Sequence, residues 1–148
     1  MTTVDRWTGR EANVLRRADT ALRQARREED PAWMYEFDHA RLLALSGACY
    51  GLLGRITAAE RALREALEAL GPKRTRRRAE VLVDLAGVRA RQRDAEEAAG
   101  LAGEALEIAV ETGSIAGIQR VRCFRPELAR WNGTRAVMAL DEQLADAL

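Results

Sequence analysis

Residues 40–67 can be laid over residues 79–106 without a gap: Leu43 falls on Leu82, Gly47 on Ala86, Ala59 on Ala98, Glu65 on Glu104, Ala66 on Ala105 and Leu67 on Leu106. A chain that repeats itself builds one supersecondary unit more than once, because each unit alone leaves an apolar face that a neighbour must cover. Within each copy the apolar residues recur at three- and four-residue intervals, the period of a helix with one buried side. The unit is therefore a pair of helices. Gly47 and Ala59 in the first copy, and Ala86 and Ala98 in the second, have too little side chain to hold those helices apart. Close crossing follows, with Leu43, Tyr50 and Leu63 filling the surrounding layer.

Helix starts and stops fit this reading. A side-chain oxygen followed three residues later by a carboxylate satisfies two orphan amides at once, and such boxes occur at Thr8 with Glu11, Thr57 with Glu60 and Asp94 with Glu97. Asp30 before Pro31 is a fourth start, and Ser114 and Thr134 are two more. Gly54, Gly71, Gly113 and the pair Asn132 and Gly133 can take the left-handed conformation that ends a helix. The resulting expectation is an all-α chain of about seven helices, over 8–28, 31–53, 57–70, 73–93, 94–112, 114–125 and 134–147. Pro126 should end or kink the sixth, with a short turn leading to Trp131. Short linkers make sequential helices antiparallel neighbours. Gly100 and Gly103 lie inside a helix, where each costs about 1 kcal/mol against alanine and is expected to permit a close contact.

Composition narrows the function classes. The apolar share is 47% with 5% aromatic, so alanine and leucine supply most of the core, and no segment alternates as a half-buried strand would. A net charge of +1 gives no global pull on nucleic acid. Cys49 and Cys123 stand in apolar helical surroundings without a second ligand at metal spacing, and read as buried thiols of a reducing compartment. No apolar run is long enough to span a membrane or act as a leader, so the expected location is cytoplasmic. His39 is the only histidine, with no nucleophile or carboxylate set placed around it by spacing. No phosphate-binding glycine loop or paired metal ligands occur either. No enzyme and no cofactor is expected.

The first copy resembles a tetratricopeptide repeat: Leu43 at the large position, Gly47 at the small one, Tyr50 at the aromatic one, Gly54 closing the helix, then Ala59, Leu63, Ala66 and Pro72. The second copy departs from it, with Arg89 and Arg93 in place of the tyrosine and the closing glycine and a spacing above the usual repeat of roughly 34 residues. Ala18, Ala21, Leu22 and Ala25 echo Ala59, Ala62, Leu63 and Ala66. The resemblance implies antiparallel hairpins stacked as a short right-handed solenoid. It also implies one domain over 1–148: an N-terminal helix at 1–30, repeats at 31–72 and 73–113, and capping helices at 114–148.

The resemblance narrows further. The residues Trp33, Met34, Tyr35, Glu36, Phe37 and Asp38, the run Arg76, Arg77, Arg78 and Ala79, and the closing residues Val121, Arg122, Leu128, Trp131 and Leu140 carry it. They look like the tetratricopeptide half of actinomycete helix-turn-helix regulators of the xenobiotic-response-element type. Arg6, Trp7, Thr8, Gly9, Arg10 and Glu11 look like the opening of the DNA-binding half. After Leu15, Arg16 and Arg17, however, the chain runs straight to Ala18, Asp19 and Thr20, with no turn and no recognition helix to enter a major groove. The implied function is a regulatory scaffold that binds a protein or peptide and is linked to transcriptional regulation. The missing reader helix argues against nucleic acid.

Two groups are candidate sites. Trp33, Tyr35, Phe37, Asp38 and Arg41 open the helix that would line a concave face; Trp33, Phe37 and Arg41 share one side of it, and tryptophan and arginine anchor interfaces. The same aromatics would equally serve as packing against the first helix. Lys73, Arg74, Arg76, Arg77 and Arg78 put positive charge at a helix start, against the macrodipole. An acidic partner or a phosphate backbone would compensate, and so would Glu80 and solvent. Arg16, Arg17, Arg26 and Arg27 read as the outer side of the first helix. Alternatives to the scaffold are a nucleic-acid-binding regulator using these arginines and a small-molecule sensor or unrecognised helical enzyme. An incomplete first repeat leaves an apolar edge that a second copy could cover in a homodimer.

Overall fold

The computed structural model describes residues 13, 14, 16, 17, 20 and 21 and residues 32–147, with side chains from residue 39 onward in the second stretch. Among the described residues the chain is helical and carries no strand: α1 (Ala32–Leu52), α2 (Ile56–Leu70), α3 (Arg76–Arg91), α4 (Ala95–Glu111), α5 (Ile115–Phe124), a 3-10 segment (Arg125–Trp131) and α6 (Arg135–Asp146). Six helices are thus drawn where seven were expected. The missing one, over 8–28, falls mostly outside the described residues, although its six described positions are helical. The starts at Thr8 and at Asp30 with Pro31 also lie outside them.

The chain forms two compact units, Met1–Leu70 and Gly71–Leu148. In the first, α1 packs against α2. Ala40, Gly47, Ala59, Leu63 and Ala66 are buried between them. In the second, α4 is the central element and packs against α3, α5, α6 and the 3-10 segment. Its Ala98, Ala102, Ala105, Leu106, Ile108 and Ala109 are all at or below 2% exposure. Leu82, Leu85, Val121, Leu128, Val137 and Leu140 close around it, each fully buried branched side chain contributing about 1.5–3 kcal/mol against leaving it in water.

One turn stereochemistry joins the hairpins. Gly54 (φ 75°) follows α1, Arg93 (φ 63°) follows α3 and Gly113 (φ 65°) follows α4. In each case the next amide donates back across the helix end: Arg55 N to Tyr50 O (2.9 Å), Asp94 N to Arg89 O (3.0 Å) and Ser114 N to Ala109 O (2.8 Å). This closure satisfies orphan carbonyls and sends the chain straight into the following helix. Arg93 adopts the conformation its sequence partner Gly54 adopts without a side chain, a strained choice for a residue with a Cβ.

The caps correct several expected boundaries. Asp94 accepts from Glu97 N (3.0 Å) and Ser114 from Gly117 N (3.0 Å), as anticipated. Asp94 N is already committed to Arg89 O, so the Glu97 carboxylate turns instead to Arg89 Nε (2.7 Å) and only half of the box forms. Thr57 lies inside the first turn of α2, too late to cap it. The closure at Gly54 makes Arg55 the residue whose carbonyl takes the first helical bond, from Ala59 N (2.9 Å). The helix expected over 73–93 begins at Arg76, capped by Thr75 accepting from Arg78 N (3.2 Å). Arginine in place of a carboxylate three residues on hid that cap. Thr134 holds the capping position of α6, but its hydroxyl donates to Trp131 O (2.8 Å) rather than capping. α5 ends at Phe124, just before Pro126 as expected, and the 3-10 segment runs from Arg125 through the proline.

Glycines inside helices divide in two. A Cβ at Gly103 would lie 2.7 Å from Gln143 Oε1, so this glycine lets α6 approach α4. Gly100 is exposed with nothing within 4 Å of such an atom; its side of α4 faces outward, and the close contact expected there does not exist.

Candidate functional site

Among the described residues, the face of α1 and α2 that continues beyond their shared core is open. Leu42, Leu43, Ser46 and Tyr50 from α1 and Ala58, Arg61, Ala62 and Glu65 from α2, with Arg16, line a hollow of about 240 Å3. Leu43 and Tyr50 were expected to fill the interior layer, yet both are only half-buried, whereas Leu63 is fully buried. The reason is geometric: Gly47 lets Leu63 enter so far that a Cβ there would lie 2.5 Å from Leu63 Cγ. Leu63 fills the crossing by itself and leaves Leu43 and Tyr50 on its flank.

A second strip adjoins the hollow. Leu42, Leu45, Cys49 and Leu52 follow one another at three- and four-residue steps along one side of α1. Leu45 is 54% and Leu52 84% exposed, and the Cys49 thiol is exposed too. Arg41, one turn before Leu45, is exposed on the same side. Arg41, Arg61 and Arg16 make no ion pair among the described residues. The side chains of Trp33, Tyr35, Phe37 and Asp38, which were grouped with Arg41, lie outside the described residues although their backbone is helical. Arg41 itself does not line the hollow.

The exposure of Cys49 and Cys123 overturns their reading as buried thiols. Apolar neighbours in sequence do not bury a helical residue, since each step turns the side chain by about 100°. Gly47 faces α2 and Cys49 does not; Val121 and Phe124 face the core of α5 and Cys123 does not.

In the second unit the arginine run is engaged internally. Arg74 forks onto Glu111 (Nε to Oε2 2.8 Å, Nη2 to Oε1 2.9 Å) and reaches Glu107 (3.4 Å). These hydrogen bonds hold the Glu111 carboxyl below its ordinary value. Arg76 donates to Thr112 O (3.0 Å), a carbonyl at the negative end of α4. Arg78 donates to Gly71 O (3.0 Å) and lies 3.8 Å from Glu104. Arg77 is half-buried. The partners of Arg74, Arg76 and Arg78 thus lie on α4, at its C-terminal end and at Gly71, and Glu80, one turn after Arg76, is not among them.

Three further arginines make ion pairs that had no sequence signal, because their partners lie on different elements or across a turn. Arg89 binds Gln92 Oε1 (2.7 Å), Asp94 Oδ2 (2.7 Å) and Glu97 (2.7 Å), bracing the α3–α4 turn from the position where the first copy has Tyr50. Arg125 grips Asp141 through both carboxylate oxygens and also donates to Asn132 (2.7 Å), tying the 3-10 segment to α6. Arg120 on α5 donates to Asp84 on α3 (3.0 Å). Burial pushes the Asp84 carboxyl up; Arg120 offsets part of that rise, and Glu80 adds to it.

A second hollow, of about 320 Å3, lies at the C-terminal ends of α4 and α6, lined by Leu106, Glu107, Val110, Glu111, Gln143, Asp146 and Ala147. Two of its carboxylates are already held by Arg74. His39 is half-buried on α1. No group of three or more metal-ligating side chains occurs among the described residues, and none of their helices is long and apolar enough to cross a membrane. Compared with protein-family models, curated proteins and solved structures, the chain matches none of them.

Proposed function

We propose that this protein is a non-catalytic scaffold that binds a protein or peptide partner through the open face of α1 and α2. One observation carries the reading. The two hairpins share a sequence frame and a turn, yet among the described residues the face that α5 helps to close over α3 and α4 is left open over α1 and α2. Exposed apolar surface in a continuous strip beside a hollow marks an interaction site more often than chance exposure does. The hollow is smaller than the roughly 300–1,000 Å3 that encloses a small-molecule ligand, which favours one or two side chains of a partner over a sensed metabolite.

The finer assignments belong to the same proposal. The hairpins are of the tetratricopeptide type, and the protein acts in the cytoplasm in transcriptional regulation, as the resemblance to the partner-binding half of helix-turn-helix regulators suggests. A nucleic-acid role through Arg74, Arg76, Arg77 and Arg78 is the weaker reading, since Arg74, Arg76 and Arg78 already have partners on α4 or at its ends. A homodimer formed over the same open face is a special case of the scaffold.

Selection of randomised short peptides displayed on phage against the intact chain tests the scaffold reading. Enrichment on the parent and loss on Leu45→Glu is the expected result, with thermal melting showing that the variant stays folded. No enrichment above an unrelated helical protein would overturn it.

A further inference from the structure

The second hairpin shows what its open counterpart is built to take. Position by position, Leu42, Leu45, Cys49 and Leu52 of α1 correspond to Val81, Asp84, Val88 and Arg91 of α3. On α3, Val81 and Val88 are buried (1% and 4%), and Asp84 receives Arg120 from α5, which packs along that helix. A helix therefore lies over this side of α3, with an apolar contact and one cross-helix ion pair in which α3 supplies the carboxylate. On α1 the apolar part is retained and strengthened, leucine standing for aspartate at position 45 and for arginine at position 52.

One charge is reversed and another is added. Arg41 stands where α3 has Glu80, and Arg61 stands where α4 has Gly100. Together with Arg16, these guanidinium groups flank the strip and the hollow, against one carboxylate, Glu65, lining it. We infer that the open face of α1 and α2 receives an amphipathic helix whose polar flank is acidic. Its apolar residues lie along Leu42, Leu45, Cys49 and Leu52, with one large side chain in the hollow beside Tyr50, and its carboxylates face Arg41 and Arg61. The strip from Leu42 to Leu52 is about 15 Å long, three turns of helix, so a short segment covers it. Such a pairing draws contact energy from the apolar strip and selectivity from the charges.

This inference rests on the scaffold reading, and the two fail differently. Cys49 lies within the strip and Cys123 on α5, and both thiols are exposed, so the protein carries a reporter and an internal control. The intact chain is alkylated with and without a fluorescein-labelled peptide built on repeats of Leu-Glu-Glu-Leu-Leu-Glu-Ala, and with its counterpart carrying lysine for glutamate. Modification at each cysteine is followed by mass spectrometry and binding by fluorescence anisotropy. The acidic peptide is expected to slow Cys49 by about tenfold or more while leaving Cys123 unchanged, at concentrations where the lysine peptide does nothing. Arg41→Glu combined with Arg61→Glu should exchange that preference, which a fold defect would not do. Equal protection by both peptides overturns the acidic assignment and leaves the scaffold reading standing. So does binding of the acidic peptide without protection of Cys49. Cys49 already as slow as a buried thiol in the peptide-free chain overturns both, because the face is then covered. Absence of binding by either peptide overturns the inference alone, the scaffold then depending on the phage selection.

Discussion

The α1–α2 and α3–α4 hairpins are the same device finished in two ways. Both end their first helix with a left-handed residue and an amide donated back across the helix end, and both cross on small side chains. In the first the crossing is glycine against leucine, Gly47 on Leu63; in the second the matching positions are Ala86 and Ala102, both fully buried. Volume removed from one helix is returned by the other, and a close-packed layer results each time. The difference lies on the flank: Leu82 is 1% exposed where Leu43 is half-buried. A pair of helices can perfect its own seam and still leave its sides to a third element.

The largest test of this comparison is Leu63→Ala, which imports the side chain of position 102 into a crossing that keeps Gly47. The cavity should lower stability by about 2–5 kcal/mol, read by urea unfolding. A loss below about 1 kcal/mol would show that the first crossing is not the packed seam described. Next comes Gly47→Ala, expected to cost about 1–3 kcal/mol because a Cβ has no space beside Leu63. The double variant Gly47→Ala with Leu63→Ala recreates the pair of the second hairpin. It should be more stable than the sum of the two single losses predicts, with a coupling of about 0.5–3 kcal/mol. Strict additivity would break the equivalence of the two crossings.

The shared turn gives a smaller effect of opposite sign in the two hairpins. Arg93→Gly should stabilise by about 1 kcal/mol by relieving a left-handed residue that carries a Cβ, and Gly54→Ala should destabilise by about as much. Thermal melting of the two variants checks both, and a gain from Gly54→Ala would contradict the positive φ at that turn.

The smallest effects are with pH and fall in the second unit. Asp94 accepts from Glu97 N and from Arg89, and Asp141 is gripped by Arg125; both carboxyls sit below their ordinary value of 3.8. A depressed folded-state value means a contribution that is complete above 3.8 and is lost as pH falls through the lower, folded value. Asp84 acts the other way. Its burial raises the folded value above 3.8, so its ionisation opposes folding at neutral pH, and that opposition is relieved as pH falls through the raised value towards 3.8. Stability measured from pH 7 down to pH 2 should therefore decline more gently at the acid end in Asp141→Asn than in the parent. An unchanged acid limb would remove Asp141 from the account.

Much of the helical plan was legible in the residues themselves. Six of the expected helices occur, the frame linking the two hairpins holds residue for residue through Gly47 and Ala86, and Ser114 and Asp94 cap as their spacing indicates. The misreadings share one cause. Cys49, Cys123 and Gly100 were judged by their neighbours along the chain, although burial depends on which side of the helix meets another element. Thr75 was missed because the residue whose amide it accepts, Arg78, is an arginine rather than the glutamate of a capping box. The open strip on α1 was also unread: Leu45 and Leu52 look like core leucines until it is seen that no described residue covers them.

Helix periods, left-handed stops and the need for small side chains at a close crossing act over a few residues, so the sequence alone determined the hairpins and their repetition. Which carboxylate each guanidinium meets, which face α5 closes, and which described side chains are left exposed depend on groups brought together from distant parts of the chain. Those were decided only by tertiary structure, because charge pairing and burial are set by distance in space and carry no period along the sequence.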